Sequence, residues 1–200
     1  MARTVGSAAD DTRQRILDVA VDLFIERGYA GTSVRDISER IGMTKGSLYY
    51  HFASKDDLLA ALVEPMLAEL DDFIVDASRT GQPASRELIE RLVSILDEHG
   101  VILRSLMSDP SVLHGLMKRS MPQRLAALQR AVAGGNDEAA MLRGRCAIGC
   151  INAGTIAPRM GAPDPDGPEA RAMMVRSRLS DQDKEYVFDA ALSVLYLGIG

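Results

Sequence analysis

The sequence has no tryptophan and only nine other aromatic residues, five tyrosines and four phenylalanines. A β-sandwich or a carbohydrate site lined with aromatic rings is therefore not expected. Its three histidines are scattered, and no clustered metal set, nucleophile elbow, zinc-protease motif, phosphate loop or dinucleotide fingerprint occurs. We therefore expect that the protein is not an enzyme and uses no metal and no cofactor.

The sequence also lacks a long hydrophobic run. Its longest uncharged stretch, residues 146–158, has thirteen residues and includes Asn152, so it is too short and too polar to cross a bilayer. The first eleven residues show no pattern of a secretory signal. Cys146 and Cys150, four residues apart, do not suggest a disulfide framework. These features predict a cytoplasmic protein with no membrane partner.

Positive charge is not in excess either, because 23 basic residues against 28 acidic ones give a net charge of −5. This balance argues against a uniformly basic protein that coats nucleic acid, but it leaves room for a local basic face. Residues 33–55 carry four basic and two acidic residues, a balance of +2, so the other 177 residues sum to −7. A small basic segment is therefore attached to an acidic remainder.

What the sequence has in abundance is alanine, leucine and arginine, which favour helices. Apolar residues recur at helical spacing and no strand-like alternation of useful length occurs, so we predict an all-α fold. A loose tail is expected over residues 1–10. Local signals then delimit four helices: Gly28, Ser33 with Asp36, Gly42, Thr44, Ser54 with Asp57 and, inside the long fourth helix, Pro65. Further helices are predicted near 85–98, 100–108, 111–133, 137–157 and 181–197, and a long loop over 158–180.

Five of the nine aromatic residues lie within the first 52 positions, so the N-terminal quarter differs in composition from the rest. Residues 33–52 have the pattern of a helix-turn-helix, in which one helix is followed by a turn at Gly42 and a short second helix. Leu48 and Phe52 are expected to anchor the back of the second helix. Its N-terminal residues, which are small, basic or amphipathic, are suited to contact with a DNA groove and with phosphates.

Residues 12–59 closely resemble the DNA-binding domain of the TetR family of transcriptional regulators. The matching positions are apolar helix residues, turn glycines and the polar residues of the second helix: Ile16, Leu17, Phe24, Gly28, Tyr29, Thr32, Ser33, Val34, Ile37, Gly42, Lys45, Gly46, Leu48, Tyr49, His51, Phe52, Ser54, Lys55 and Leu58. Ser38 and Ile41 depart from the family pattern, which usually has alanine there. The resemblance implies a three-helix DNA-binding domain at 11–56 and a larger helical ligand-binding and dimerisation domain at 57–200.

The same resemblance implies which residues contact DNA. Lys45, Tyr49 and the backbone of Gly46 are expected to face the bases. Contacts with phosphate or sugar are expected from seven further residues: Ser33, Arg35, Thr44, Ser47, Tyr50, His51 and Lys55. Because consecutive helix positions diverge by about 100°, Tyr49 and Tyr50 cannot both lie in the core. Simpler alternatives are a packing role for Tyr49 and a solvated charge for Arg35.

For the remaining three quarters of the chain the resemblance implies a homodimer formed through the helices near 137–157 and 181–197. The apolar stripe that includes Phe188, Ala191 and Leu195 supports this expectation, as does a small-residue face of Cys146, Cys150 and Gly154. The alternative is that both faces pack within the monomer. A redox role for the two cysteines is a further alternative, because Arg143 and Arg145 lie near them in the sequence.

An unknown small-molecule effector is expected to bind among the C-terminal helices. The candidate pocket residues are mainly methionines, which adapt to apolar ligands of irregular shape: Met66, Phe73, Met107, Met117, Met121 and Cys150. Ordinary core filling explains each of them equally well. The predicted function is a ligand-responsive repressor that binds a palindromic double-stranded operator as a homodimer and is released by a small molecule. The alternative is an activator or a ligand-independent regulator of the same family.

Overall fold

The computed structural model describes residues 5–107, 112, 121–156 and 178–198. Every regular element within these ranges is an α-helix, which confirms the predicted all-α fold. In chain order the helices are α1 (Val5–Arg27), α2 (Val34–Ile41), α3 (Lys45–His51), α4 (Lys55–Ser78), α5 (Arg86–Glu98), α6 (Gly100–Met107), α7 (Met121–Ala133), α8 (Glu138–Thr155) and α9 (Asp181–Leu195). In the described part of the chain, no helix combines the length and the hydrophobicity that crossing a membrane requires.

Short-range hydrogen bonds explain where α2 and α3 begin and end. The Ser33 hydroxyl accepts from the backbone N–H of Asp36 at 3.2 Å, and the Asp36 carboxylate accepts from the N–H of Ser33 at 2.7 Å. Gly42 ends α2 in the left-handed conformation, with a φ of 73°, which glycine adopts without a steric penalty. Thr44 then caps α3 by accepting from the N–H of Ser47 at 3.1 Å. The predicted caps and turn of the helix-turn-helix are confirmed.

The first helix is longer than the sequence suggested. It begins at Val5, so residues 5–10, expected to belong to a loose tail, continue α1. These residues lack the inward apolar spacing by which the helix was recognised, but they contain no proline. Adding residues to an existing helix costs far less free energy than nucleating a new one. The helix α1 can therefore extend beyond the segment in which apolar residues recur at helical spacing.

Two hydrophobic clusters form along the chain, and α4 contributes to both. The N-terminal cluster is built from buried residues of α1, α2, α3 and the first half of α4: Ile16, Ala20, Leu23, Phe24, Tyr29, Ile37, Leu48, Phe52, Leu58, Leu59, Leu62 and Val63, together with Val112. The C-terminal cluster takes Met66, Leu70, Phe73 and Ala77 from the second half of α4 and is completed by α5 to α9. We call α1–α3 with residues 55–63 the head, and residues 66–78 with α5–α9 the body. The packing of the head thus continues beyond residue 56, the expected domain boundary.

The last helix, α9, is fixed within the body by apolar and polar contacts. Phe188, Ala191 and Leu195 are buried in the C-terminal cluster. Gly154 of α8 lies against Val187, where an added Cβ would come within 2.3 Å of a methyl group. The stripe expected to form a dimer interface therefore packs within the monomer, because α9 is apolar on more than one side and its inner side meets α5 and α8.

Charged side chains near both ends of α5 hold α9 against it. Asp97 is only 1% exposed, and its carboxylate accepts from the N–H of Leu179 at 3.0 Å. The same carboxylate lies 3.2 Å from the ammonium of Lys184. Arg86, at the other end of α5, pairs with Glu185 and Asp189 of α9 at 2.6 and 3.3 Å. A buried carboxylate needs such partners, so Asp97 joins α5 to the start of α9.

Candidate nucleic-acid interface and ligand cavity

The short helix α3 presents one face to the core and leaves the other open. Leu48 is completely buried and Phe52 is 2% exposed, so the back of the helix is anchored in the head. Tyr49 is 42% exposed and Tyr50 is 86% exposed. Neither tyrosine is a core residue, and a packing role for Tyr49 is not what the structure shows. A Cβ on Gly46 would meet no atom within 4 Å, so the fold itself leaves room for a larger residue there.

Most basic side chains at the surface of the head have partners within the head. Arg35 pairs with Glu39 at 2.7 Å, and this hydrogen bond raises the pKa of Arg35. Arg40 pairs with Glu26 of α1 at 2.8 Å. In the described residues, Lys45 takes part in no ion pair, and its ammonium lies 5.6 Å from the ring centroid of Tyr49. The positive charge at the start of α3 is therefore available to an external anion.

Lys55 and His51 contact the head itself. The Lys55 ammonium donates to the backbone carbonyl of Tyr29 and lies 3.9 Å from the centroid of its ring. His51 is half-buried and its ring lies edge-on to Tyr50, with centroids 5.4 Å apart. The backbone carbonyl of His51 accepts from the Arg13 guanidinium at 3.1 Å. These contacts hold the end of α3 and the start of α4 against α1 and its following turn.

All ten expected DNA contacts lie on α3 and its cap, at the start of α2, or at the start of α4. Seven of them are exposed on α2 and α3 or their caps: Ser33, Arg35, Thr44, Lys45, Gly46, Ser47 and Tyr50. Tyr49 is also exposed, whereas His51 and Lys55 are half-buried. That these residues contact DNA stays a prediction.

The body contains a partly open cavity of about 190 Å³ between α4, α5, α6, α7 and α8. All but two of its lining residues are aliphatic or methionine: Val63, Met66, Leu70, Ile74, Leu96, Leu103, Met121, Leu125, Leu128, Ile148 and Ile156, with Arg124 and Asn152 as the polar members. No aromatic ring lines it within the described residues. A space of this kind suits an apolar molecule.

Two of the six candidate pocket residues, Met66 and Met121, line this cavity. Phe73 is completely buried in the C-terminal cluster, and Cys150 is partly buried against that cluster without lining the cavity. Both residues were candidates for the pocket, but Phe73 fills the packed core and Cys150 packs against it, so neither lines this cavity. Met117 and the side chain of Met107 lie outside the described residues.

One side of the cavity carries an ion pair. The Arg124 guanidinium binds the two carboxylate oxygens of Asp71 at 2.7 and 2.8 Å, which joins α7 to α4. This hydrogen bond holds the pKa of Asp71 below its usual value. The pKa of Arg124 is raised, mainly by its hydrogen bonds to Asp71 and to a smaller extent by the nearby charge of Glu64. The guanidinium is thus neutralised by groups of the protein itself.

No group of three or more His, Cys, Asp or Glu side chains in the described ranges is arranged to hold a metal ion. Cys146 is exposed and Cys150 is half-buried, and both are free thiols. Arg143 and Arg145 make no ion pair with a described residue, and the structure gives the cysteines no special environment.

Residues 16–62 match a family model described as bacterial regulatory proteins of the tetR family. The HTH-type transcriptional regulator AcrR of Shigella flexneri is 36% identical over 99 residues, which cover 48% of this chain and 46% of that protein. The HTH-type transcriptional repressor KstR2 of Rhodococcus jostii is 38% identical over 92 residues, 43% of this chain and 45% of that protein. The aligned part thus spans about half the length of these relatives. Within residues 16–62 the chain is thus similar to the regulators of the tetR family.

Solved structures extend this likeness to the whole fold of the chain. A transcriptional regulator from Aquifex aeolicus superposes with a TM-score of 0.58 at 19% identity, covering 82% of this chain and 95% of that one. SmeT, in a complex with triclosan, superposes with a TM-score of 0.56 at 22% identity, covering 92% of this chain and 90% of that one. At these identities the likeness shows a shared fold, an N-terminal helix-turn-helix followed by a helical C-terminal domain.

The functional residues that the sequence pattern did not indicate are those that link the head and the body. Val63 packs in the N-terminal cluster and also lines the cavity. In α6, Ile102 packs against the N-terminal cluster while the next residue, Leu103, lines the cavity. Arg124 and Asn152 are the polar cavity residues, and they are distant in sequence from α4. Helical periodicity shows that such residues face inward, but it does not show which neighbours they meet.

Proposed function

We propose that this protein is a transcriptional repressor of the TetR family that binds a palindromic operator as a homodimer and is released by a small molecule. The observation that carries the proposal is α3, whose back is fixed by Leu48 and Phe52 while Lys45, Tyr49 and Tyr50 remain at the surface. A helix held in this way can enter a major groove and present its N-terminal side chains to base edges. The name of the relative KstR2, a repressor, supports the direction of regulation.

The dimer is supported by a surface of α8 and α9 that the monomer leaves uncovered. Exposed residues recur at spacings of three and four on α8, and a similar series runs along α9 into the turn after it: Leu142, Cys146, Gly149 and Ala153, then Tyr186, Ala190, Ser193 and Leu197. We call this set the α8–α9 face. Leu142, Tyr186 and Leu197 are each more than half exposed, although they are large and apolar. Contiguous apolar surface of this kind is typical of an interface between copies related by a two-fold axis.

A two-fold dimer places two copies of α3 at a fixed separation. Such an arrangement reads two half-sites about one helical turn apart, roughly 34–36 Å, or a longer multiple of that distance. The operator is therefore expected to be palindromic. A regulator of this kind acts on the chromosome, so we place the protein in the cytoplasm.

Release by a ligand is supported by the packing between cavity and head. Val63 belongs to both, and α6 contacts the head through Ile102 and the cavity through Leu103. A molecule that occupies the cavity must therefore press on residues that support the head. Release follows if the ligand binds more tightly to the conformation in which the two reading helices are wrongly spaced. Pro65 lies between the two halves of α4 and has no N–H for a helix bond, so we place the bend there.

DNA binding is tested by fluorescence anisotropy with a duplex from the region upstream of the gene. Lys45→Ala and Tyr49→Ala should each weaken binding to this duplex by about 1–3 kcal/mol, while binding to unrelated DNA changes much less. Arg79→Ala is the matched control, because it removes one positive charge from the exposed C-terminal end of α4.

Retained specific binding in the Lys45→Ala/Tyr49→Ala double variant would contradict the proposal. A reporter fused to the same upstream region separates repression from activation. Loss of the gene should raise its expression if the protein represses and lower it if the protein activates.

A further inference from the structure

The size of the cavity limits what it can hold. Its volume of about 190 Å³ is somewhat larger than the roughly 150 Å³ of an engineered cavity that accommodates benzene. One six-membered ring with one or two small substituents therefore fits. A larger ligand would extend out of the cavity, which is partly open, or would displace side chains such as Leu70 or Leu128 of the C-terminal cluster.

The wall of the cavity is apolar apart from two residues. Only one of these two has a polar side chain without a hydrogen-bond partner among the described residues. In the part of the chain that the structure describes, the carboxamide of Asn152 makes no hydrogen bond, while its backbone carbonyl accepts from Ile156 at 2.9 Å. A carboxamide offers two donors and an acceptor. A ligand with one hydroxyl or carbonyl group can satisfy it, whereas a pure hydrocarbon cannot.

The other polar residue, Arg124, does not make the cavity attractive to anions. Its guanidinium is already bound through both oxygens of Asp71, and Glu64 lies nearby. A carboxylate ligand would have to compete with Asp71 and would face two negative charges beside one positive charge. Moving a charged group from water into this apolar space is costly without a free partner.

We infer that the cavity takes an uncharged, single-ring molecule with one hydrogen-bonding group that pairs with Asn152, and that it discriminates against carboxylates. This inference rests on the proposed ligand-responsive function and adds the chemical class of the ligand. Asn152 orients the ring through its one polar substituent. The Asp71–Arg124 pair excludes acids of the same size.

Three probes of nearly equal shape test the inference. The first is p-cresol, the tyrosine side chain as a free molecule, which is uncharged at neutral pH. In p-xylene a methyl group replaces the hydroxyl, and in p-toluate a carboxylate replaces it. Binding of each probe to the full-length protein without DNA is measured by isothermal titration calorimetry. In the unmodified protein p-cresol and p-xylene should bind, and p-toluate should bind more weakly than either.

Asn152→Leu removes the carboxamide and keeps the size of the side chain. The affinity of p-cresol relative to p-xylene should fall about five- to tenfold in this variant, which is the effect of one lost hydrogen bond. Retained binding of p-xylene shows that the variant is folded. Asn136→Leu, at an exposed position before α8, is the matched control and should leave the ratio unchanged.

Asp71→Asn tests the exclusion of acids. It leaves the Arg124 guanidinium without its carboxylate, so the affinity of p-toluate should rise about tenfold while that of p-xylene stays the same. The inference is overturned if p-toluate binds the unmodified protein more tightly than p-xylene. It is also overturned if no probe binds at its solubility limit, or if Asn152→Leu leaves the affinity of p-cresol relative to that of p-xylene unchanged.

Release of operator DNA is measured separately, by adding p-cresol to the protein–DNA complex. If p-cresol binds through Asn152 without releasing DNA, the class of ligand stands and the ligand-released repressor is contradicted. Another molecule could release DNA while Asn152→Leu leaves the affinity of p-cresol relative to p-xylene unchanged. The ligand-released repressor would then be supported, and the proposed class of ligand would be wrong.

Discussion

The head and the body differ in what their apolar side chains enclose. In the head, Ile16, Phe24, Ile37 and Leu48 are 2% exposed or less and pack together behind α3. In the body an equally buried set of side chains surrounds a cavity of about 190 Å³. Filled space resists deformation, because close-packed side chains cannot move without losing contacts. The head is thus built to hold one shape, and the body has space that a ligand can fill.

The head and the body also differ in what some of their ion pairs connect. In the body, Arg86, Arg91 and Arg124 each join two helices through carboxylates on α9 and α4. In the head, Arg35 pairs with Glu39 one turn along its own helix. Lys45 takes part in no ion pair with a described residue. Arg40 of the head also joins two helices, through Glu26 of α1. The difference lies in Arg35 and Lys45, which hold no helices together, so Arg35 can exchange its partner for a phosphate.

The largest effect is expected from removing a ring from the packed head. Phe24→Ala should lower the free energy of unfolding by about 3–5 kcal/mol, because the ring is buried and its neighbours cannot fill the space. Urea denaturation measures this loss, and hydrogen exchange locates it. Backbone amides of α1 to α3 should lose more protection than those of α8.

Phe73→Ala is the counterpart in the body, since Phe73 is also completely buried. Its loss of protection should be largest in α4, α5 and α8. If both variants reduce protection equally throughout the chain, the head and the body unfold as one unit, and the distinction between them does not extend to stability.

A smaller effect is expected where a buried charge holds the last helix. Asp97→Ala removes the acceptor of the Leu179 N–H and the partner of Lys184. The free energy of unfolding should fall by about 1–3 kcal/mol, the usual cost of leaving such groups unsatisfied. Since α9 carries half of the α8–α9 face, sedimentation should also show more monomer. Asp72→Ala, at an exposed position of α4, is the control, and an equal effect of the two variants would refute the role of Asp97.

The sequence predicted the head in detail because its signals are local. The cap formed by Ser33 and Asp36, the turn at Gly42 and the cap at Thr44 each depend on residues within three or four positions. Leu48 and Phe52 recur at helical spacing, and this local pattern predicts their burial. The start of α1 was predicted too late in the sequence, since residues 5–10 have no large apolar residues recurring at helical spacing.

The body could be predicted only as a set of helices. Its cavity is formed by residues from five helices, such as Val63, Leu103 and Ile148, and no short motif connects them. Periodicity showed correctly that Phe73 faces inward, but whether it fills the core or lines a space depends on helices far away in the sequence. The same limit explains α9, where Phe188 was expected at a dimer interface and is buried in the monomer.

The smallest effect is expected from the Arg35–Glu39 ion pair at the surface of the head. Glu39→Gln removes the carboxylate that holds Arg35, so the guanidinium becomes free to bind a phosphate of the operator. Affinity for the upstream duplex should rise about two- to fivefold. The dependence of log affinity on log salt concentration should steepen by up to about one.

Glu26→Gln is the matched control, because it removes the same charge from the head but releases Arg40, which is not among the expected DNA contacts. This control should raise affinity less and should leave the salt dependence unchanged, since a distant carboxylate affects DNA only through its field. Equal effects of the two variants would mean that charge alone accounts for the gain. Release of Arg35 from Glu39 would then have no specific effect on DNA binding, and the contrast between this pair and the pairs that join helices would be lost.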